Sequence, residues 1–443
     1  MRNRIRISKT LVEAGLLALR GRSINRHARY ALALQNDTFR VGKPGKSAPS
    51  VALRIPDCRY DPLNLEISEG QPTHLNVLLP TIHPQKTFAG IATAITLAAK
   101  ISNQGIPIRF IVTQASPDTH ECEALKLRWS TLVDSSAPEL HDIWDGSPTS
   151  QRRAVGRRDW FLATWWPTAW IAQETIKKLG FEGLRLAYFI QDYEPGFYPW
   201  SDHYALAAAT YNFEAMRIVN TTYLARHLKV ERGLDIDPEL VLRPSLNATR
   251  IPTESKTISE RKSRRIIMYG RPNSPRNLFG LSLTALDIFL SETAIGTDQL
   301  EIISAGEDHP AYRLSSGHVV RSAGKLPIND YLNLLRDSDI GLSLMLSPHP
   351  SYPPLEMAAS GMLVVTNTYP GKSMRLSNNI IAKDPTPAAI AEGLSEAYEQ
   401  VSDGERRLAG ARLDLDTLGL DIAEVGANVA RRLGCDRGIV TCH

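Results

Sequence analysis

The chain of 443 residues is 43% hydrophobic and 22% charged, which excludes a disordered or fibrous protein and leaves room for two domains with separate cores. Its four cysteines show no Cys-x-x-Cys spacing, so we expect a reducing compartment, the cytoplasm, and no structural metal. No run approaches the roughly 18 apolar residues that a membrane-spanning helix needs.

Positive charge is concentrated at the start of the chain. Residues 1–29 contain seven arginines and one lysine against a single acid, Glu13, and the remaining chain is net acidic. Val12, Leu16 and Leu19 share one helical face between basic ends, which is typical of a helix lying on an anionic membrane surface. A solvated basic helix capping the first domain is the alternative. Because the basicity is local, no nucleic-acid partner is expected.

From residue 73 onward, short apolar strands alternate with helical segments. Strands are predicted at 74–81, 107–114, 159–166, 185–192 and 217–222, and helices at 88–100, 168–180 and 201–213. Strict alternation of this kind predicts βαβ units and a parallel sheet covered on both faces.

A polar and charged segment, 248–265, has almost nothing to bury, so we place a domain boundary there. The alternation then resumes with strands at 265–270, 300–307, 318–324, 340–346 and 363–368, and with helices at 277–290, 330–339 and from Pro353. The prediction is an α/β protein with a basic N-terminal extension (1–72), two Rossmann-like βαβ domains (73–255 and 256–403) facing each other across a cleft, and a C-terminal helical segment (404–443).

The loops after the strands of the second domain carry three cations and one carboxylate: Arg271, Arg276, Lys325 and Glu356. Ligands of parallel α/β sheets bind at this edge. Arginine and lysine suit phosphate oxygens, whereas a carboxylate can only accept hydrogen bonds and therefore suits hydroxyl groups. A nucleotide-sugar, with a diphosphate and hydroxylated rings, meets both demands.

A proline-rich stretch precedes Glu356. Proline is tolerated in the first turn of a helix, so we predict that a helix starts at Pro353 and Pro354. Glu356 would then lie in the first turn of that helix. A carboxylate there is stabilised by the helix dipole by about 0.3–1 kcal/mol, which would explain it without a ligand. Tyr352, just ahead of the prolines, is a candidate contact to the donor sugar or the acceptor.

In the first domain, Gly90 lies near the start of a helix, where backbone N–H groups can approach a diphosphate closely. His83, in the loop ahead of it, is a candidate base or acceptor contact, with a structural histidine as the alternative. The loop after strand 185–192 supplies Asp192, Tyr193 and Glu194, which we expect to line an aromatic, polar acceptor surface; packing against the neighbouring aromatic strand is the alternative. No metal is expected, because the cations can neutralise a leaving diphosphate.

With these residues identified, the chain resembles, from residue 73 to the end of the second domain, the retaining GT-B glycosyltransferases that elongate bacterial surface glycans. Arg271 and Arg276 resemble that family's Arg-x4-Lys phosphate pair, with arginine replacing lysine. PPLEMAASGMLVVTN resembles its donor-site helix, in which Glu356 corresponds to the glutamate that holds the nucleotide ribose. The family carries a second glutamate eight residues before the ribose-binding one, and that glutamate contacts the hydroxyls of the donor sugar. In this chain the corresponding residue is Pro348, so the contact to the donor sugar must come from another residue.

More narrowly, residues 189–204 and 347–361 are similar to rhamnosyltransferases of bacterial S-layer and related polysaccharide assembly, which use dTDP-β-L-rhamnose. The resemblance implies transfer of L-rhamnose, with retention, to a hydroxyl of a lipid-linked surface glycan. It implies no cofactor beyond the donor, and it names no catalytic nucleophile. A GT-B transferase with another nucleotide-sugar and a noncatalytic GT-B-like scaffold subunit are the alternatives. We expect a cytoplasmic protein that contacts the inner face of the membrane through residues 1–29.

Overall fold

The computed structural model of the protein describes residues 60–84, 89–246 and 263–435. The basic segment 1–29 and most of the predicted boundary segment lie outside the described residues. The described part of the predicted extension, from residue 60, packs on the first domain: Leu63 and Leu65 are buried in its core.

The first domain is built around a seven-stranded parallel sheet with strand order β4-β3-β2-β6-β7-β8-β9. The strands of this domain are β1 (Leu65–Ile67), β2 (Leu75–Leu79), β3 (Ile108–Val112), β4 (Ile143–Asp145), β5 (Arg153–Val155), β6 (Trp160–Ala163), β7 (Leu186–Ile190), β8 (Met216–Asn220) and β9 (Val241–Leu242). Its helices are α1 (Ala89–Ser102), α2 (Thr119–Ser130), α3 (Trp166–Leu179), α4 (Asp202–Ala209) and α5 (Thr222–Arg232). β1 and β5 form a separate two-stranded sheet.

The second domain repeats this design with strand order β12-β13-β11-β10-β14-β15-β16, parallel except for the β12–β13 pair. Its strands are β10 (Arg264–Gly270), β11 (Leu300–Gly306), β12 (Tyr312–Arg313), β13 (Val319–Gly324), β14 (Ile340–Leu342), β15 (Leu363–Asn367) and β16 (Ile380–Lys383). Its helices are α6 (Phe279–Glu292), α7 (Ile328–Arg336), α8 (Tyr352–Ala359), α9 (Pro387–Gln400) and α10 (Gly404–Ala409).

The predicted central strands are confirmed, and their sequences explain why. Every residue of β2, β3, β7 and β15 is buried, as expected for parallel strands covered by helices on both faces. One charge is buried among them: Arg109 of β3 donates to Asp159, with 3.1 Å between Nη1 and Oδ2, and to the Asn76 side chain. The predicted strands 159–166 and 340–346 extend furthest beyond the observed ones, because regular pairing ends at Ala163 and at Leu342.

The last helix, α11 (Ile422–Cys435), crosses back to the first domain. Val425 and Val429 are fully buried in the apolar core that also contains Leu97 and Ile101 of α1. Gly426 permits this close packing: a Cβ there would lie 2.7 Å from the Cβ of Lys100. The chain therefore passes twice between the two domains. Loops that follow strands of both sheets line a shared cleft.

The prediction that Glu356 lies in the first turn of its helix is wrong. α8 begins at Tyr352, because Ser351 takes the cap position with φ 70°, so the prolines are its second and third residues. Glu356 is then the fifth residue and lies in the second turn. Its carboxylate is beyond the first-turn N–H groups, which weakens the helix-dipole explanation for it.

Candidate functional site

The two domains enclose a cavity of about 1180 Å³ between the carboxyl ends of their sheets. This is large enough for a nucleotide-sugar and part of an acceptor. Eight of the residues selected from the sequence line it: Gly90, Asp192, Glu194, Arg271, Arg276, Lys325, Tyr352 and Glu356. His83 and Tyr193 are not among its lining residues.

Arg271 and Lys325 lie on the second-domain side of the cleft, at the ends of β10 and β13. The Nε of Arg271 donates to Glu307, with 2.9 Å between Nε and Oε1. Glu307 also accepts from the backbone N–H of Asn273 at 3.1 Å, so it holds both the arginine and its loop in place. The guanidinium is thereby oriented at the cleft edge, where phosphate oxygens can approach it.

Glu356 is 5% exposed and lies with two tyrosines in the same wall of the cleft. Burial raises the pKa of Tyr331 well above its usual value, and the neighbouring Glu356 carboxylate raises it further. Tyr269 is affected in the same way, although nearby Arg271 opposes the rise of its pKa. Glu356 therefore lies near Tyr269 and Tyr331, and Arg271 is close to the same Tyr269. A carboxylate in this position can accept hydrogen bonds from ligand hydroxyls.

Arg276 ties the two domains together. Its Nη1 donates to Oδ2 of Asp192, 2.6 Å away in the first domain, and its guanidinium carbon lies 3.9 Å from the ring centroid of Phe197. The Ser347 hydroxyl, also from the second domain, donates to Oδ1 of Asp192. In this arrangement Asp192 is occupied by protein donors, and Arg276 lines the cleft with one of its guanidinium nitrogens, Nη1, held by Asp192.

Glu194 forms a buried acidic position in the cleft wall. The Tyr188 hydroxyl donates to its Oε2 at 2.6 Å, and the Glu194 backbone N–H donates to the Tyr211 hydroxyl at 3.1 Å. Burial raises the pKa of Glu194 to about 8, against the opposing effect of the Tyr188 hydrogen bond. The surroundings of Glu194 therefore favour the neutral carboxylic acid over the carboxylate.

Tyr352 and Gly90 mark the contact between α8 and the first domain. Asn220 donates from Nδ2 to the Tyr352 hydroxyl at 3.1 Å, across the cleft, and Thr93 of α1 lies next to the same hydroxyl. A Cβ on Gly90 would meet the Gln191 side chain at 3.3 Å. Glycine at this position therefore keeps the start of α1 close to the floor of the cleft.

Tyr193 and His83 are the two selected residues outside the cavity lining. The Tyr193 hydroxyl accepts from Nη2 of Arg232 at 2.7 Å, and its ring packs edge-on against His227. These contacts engage Tyr193 within the first domain. The His83 backbone N–H donates to the Thr81 hydroxyl at 3.1 Å.

Two buried basic residues were missed by the sequence analysis. His349 is 3% exposed and lines the cleft; burial lowers its pKa to about 4. Lys372 donates from Nζ to the Met345 carbonyl at 3.0 Å, and burial lowers its pKa to about 7, partly offset by Asp192. Both occur in loops at the ligand-binding edge, but only the structure shows that they are buried there.

Within the part of the chain that the structure describes, no group of three or more His, Cys, Asp or Glu side chains is arranged to hold a metal ion. None of the helices described combines the length and apolarity that crossing a bilayer requires.

Both domains match models of one protein family. The WsaF N-terminal domain matches residues 74–222 and the WsaF C-terminal domain matches residues 264–395. The O-antigen biosynthesis protein RfbC of Myxococcus xanthus is 32% identical over 272 residues, which is 60% of this chain. The chain spans only 19% of that relative's length.

Solved structures with the same fold include Anabaena Alr3699/HepE in complex with UDP and glucose, with a TM-score of 0.56 and 13% identity over 82% of this chain and 100% of that one. WaaG, a glycosyltransferase involved in lipopolysaccharide biosynthesis, has a TM-score of 0.50 and 14% identity over 81% of this chain and 99% of its own. At such identities the likeness concerns the fold, and it confirms the predicted GT-B class.

Proposed function

Because this chain consists largely of the two WsaF domains and so belongs to the WsaF family, we propose that it is a glycosyltransferase of bacterial polysaccharide assembly. The donor is dTDP-β-L-rhamnose, and the acceptor is a hydroxyl of a lipid-linked surface glycan. One observation carries the proposal: Arg271, Lys325 and Glu356 share one side of a cleft between two facing domains. The similarity to an O-antigen biosynthesis protein supports the polysaccharide context.

In the proposed complex the second domain holds the nucleotide. Glu356 accepts hydrogen bonds from the ribose hydroxyls, while Arg271 and Lys325 stabilise the negative charge that develops on the departing diphosphate. Arg276 joins them either with the N–H groups that Asp192 leaves unengaged or by releasing Asp192. Gly90, at the start of α1 across the cleft, lets backbone N–H groups approach the diphosphate.

The proposed transfer needs no protein nucleophile. The bond between C1 of the sugar and the β-phosphate oxygen breaks, and the acceptor oxygen bonds to C1 on the same face, which retains the anomeric configuration. The acceptor proton passes to a β-phosphate oxygen. Closure of the two domains excludes water that would otherwise hydrolyse the donor.

We place the protein in the cytoplasm, in peripheral contact with anionic lipid through residues 1–29. The support is the net positive charge of that segment and its apolar face, since such segments bind anionic surfaces. Deleting residues 1–29 should shift the protein out of the membrane fraction. Unchanged partition after the deletion would remove the membrane contact from the proposal.

Calorimetric titration with dTDP, UDP and GDP tests the donor site. We expect dTDP to bind best, and Arg271→Ala and Glu356→Ala each to weaken it by roughly tenfold or more, since a hydrogen bond to a charged group contributes about 1.5–3 kcal/mol. Arg321→Ala and Glu392→Ala are matched controls, because both side chains are at least 70% exposed and neither lines the cleft.

The outcomes separate the alternatives. Selective UDP binding would favour a UDP-linked donor, consistent with the UDP in the HepE structure. Binding of none of the three nucleotides would reject the donor site and favour a noncatalytic scaffold.

A further inference from the structure

The imidazole of His349 is held rigidly at the border of the cleft. It lies in the loop between β14 and α8, and α8 carries Glu356 seven residues later. Its Nδ1 accepts the backbone N–H of Ser351 at 3.0 Å, and its own backbone N–H donates to the Ser347 hydroxyl at 3.0 Å. Ser351 has a φ of 70°, a conformation that is unfavourable for a residue with a side chain and persists only where the surroundings enforce it.

This geometry decides which ring nitrogen carries the proton. Because Nδ1 accepts a hydrogen bond, the neutral ring bears its hydrogen on Nε2. Burial lowers the pKa of His349 to about 4, so the ring is neutral at physiological pH. Among the residues that the structure describes, Nε2 is buried and meets no hydrogen-bond partner. A buried N–H without an acceptor is unfavourable, and binding sites are one place where such groups are kept.

The position of His349 along the cleft indicates which part of a ligand it would meet. The charged groups that act on it are Asp192, Lys372 and Arg276, so it lies at the domain junction. Arg271 and Lys325 follow β10 and β13 on the second-domain side of the cleft. In the proposed complex the nucleotide and diphosphate occupy the second-domain end, which leaves the transferred sugar at the junction.

We propose that the Nε2–H of His349 donates a hydrogen bond to an oxygen of the transferred sugar and thereby helps to select the donor. This inference rests on the proposed function. It also supplies the sugar contact that Pro348 cannot make, since proline has no polar side-chain atom. A neutral N–H donor binds a sugar hydroxyl or ring oxygen without requiring a charge on the sugar.

The test compares dTDP with dTDP-β-L-rhamnose by calorimetry in the full-length wild type, His349→Phe and His349→Gln. We expect His349→Phe to bind dTDP within about twofold of wild type but dTDP-rhamnose about tenfold more weakly, the loss expected for one hydrogen bond. Glutamine has an amide N–H of similar reach, so His349→Gln should recover most of that affinity and serves as the folded control if the Phe variant unfolds.

Each other result counts against a specific claim. If wild type binds both ligands and His349→Phe weakens neither, or weakens both equally, the sugar contact is wrong while the donor site stands. If wild type binds dTDP and dTDP-rhamnose with equal affinity in all three proteins, the sugar contact is also wrong. If wild type binds neither ligand, the proposed function itself fails, and this inference fails with it.

Discussion

The ion pair between Asp192 and Arg276 joins the two domains across the cleft, and Asp192→Asn tests its contribution to stability. Asparagine keeps the side-chain shape and an oxygen for the Ser347 hydroxyl, but it removes the charge that faces Arg276 at 2.6 Å. The Arg276 side chain is 27% exposed and the Asp192 side chain is 9% exposed. Exposed pairs contribute up to about 1 kcal/mol, whereas breaking a fully buried pair costs about 3–5 kcal/mol. We therefore expect the free energy of unfolding to fall by about 2 kcal/mol.

The assay is a double-mutant cycle in urea with Asp192→Asn, Arg276→Gln and the double variant. The expected coupling energy is about 1–2 kcal/mol, because either single change removes the same interaction. Asp235→Asn serves as the matched control, since Asp235 pairs with Lys229 on the surface and its loss should be undetectable. Coupling within about 0.5 kcal/mol of zero would refute the tie.

Asp192→Asn also distinguishes two roles for Arg276, which are binding the diphosphate and joining the two domains. If Arg276 must leave Asp192 to reach the diphosphate, Asp192→Asn should strengthen dTDP binding several-fold while Arg276→Gln weakens it. Unchanged dTDP affinity in both variants would show that Arg276 only joins the domains.

Three further changes probe other buried polar groups. Glu194→Gln should become more stable than wild type as pH rises from about 5 to 8, because the unfolded chain loses the Glu194 proton near its ordinary pKa of 4.5 while the folded protein keeps it to about 8. Denaturation at both pH values should show a difference that grows by up to about 1.4 kcal/mol per pH unit, and a constant difference would contradict the raised pKa. Asp159→Leu removes the buried carboxylate that accepts from Arg109, from the Asn76 amide and from the His74 backbone N–H, and leaves Arg109 with Asp142 at 3.3 Å. It should lower the free energy of unfolding by about 3 kcal/mol, measured in urea; a loss under 1 kcal/mol would be inconsistent with that burial. Tyr352→Phe removes the acceptor for Asn220 and should lower the melting temperature by about 1–3 °C, whereas an unchanged melting temperature would argue against that bond.

The central strands of the fold were predictable because each is marked by a continuous apolar run in its own sequence. The apolar runs at β2, β3 and β7 are long enough, and buried enough on both faces, to be recognised as parallel strands. The short elements β1, β4 and β12 were missed. They have two or three residues each, and such lengths leave no recognisable periodicity.

Only those site residues that directly follow predicted strands could be placed from the sequence. Arg271, Lys325 and Glu356 follow strands of one sheet, so topology alone brings them to one edge. The pairing of Arg276 with Asp192 could not be read from the sequence, because it joins residues 84 positions apart in different domains. The buried Nε2 of His349 likewise depends on a strained Ser351 that no composition rule identifies.

The central claim is transfer of a sugar from a nucleotide donor held in the cleft. The most direct measurement is incorporation of radiolabelled rhamnose from dTDP-β-L-rhamnose into lipid-extractable glycan, using bacterial membranes as the source of acceptor. We predict incorporation by the wild type and at least a tenfold loss in Glu356→Ala, the size expected from the lost hydrogen bonds, with Glu392→Ala unchanged. Wild-type protein that binds dTDP but transfers no sugar from dTDP-, UDP- or GDP-linked donors would contradict the assignment of this protein as a glycosyltransferase.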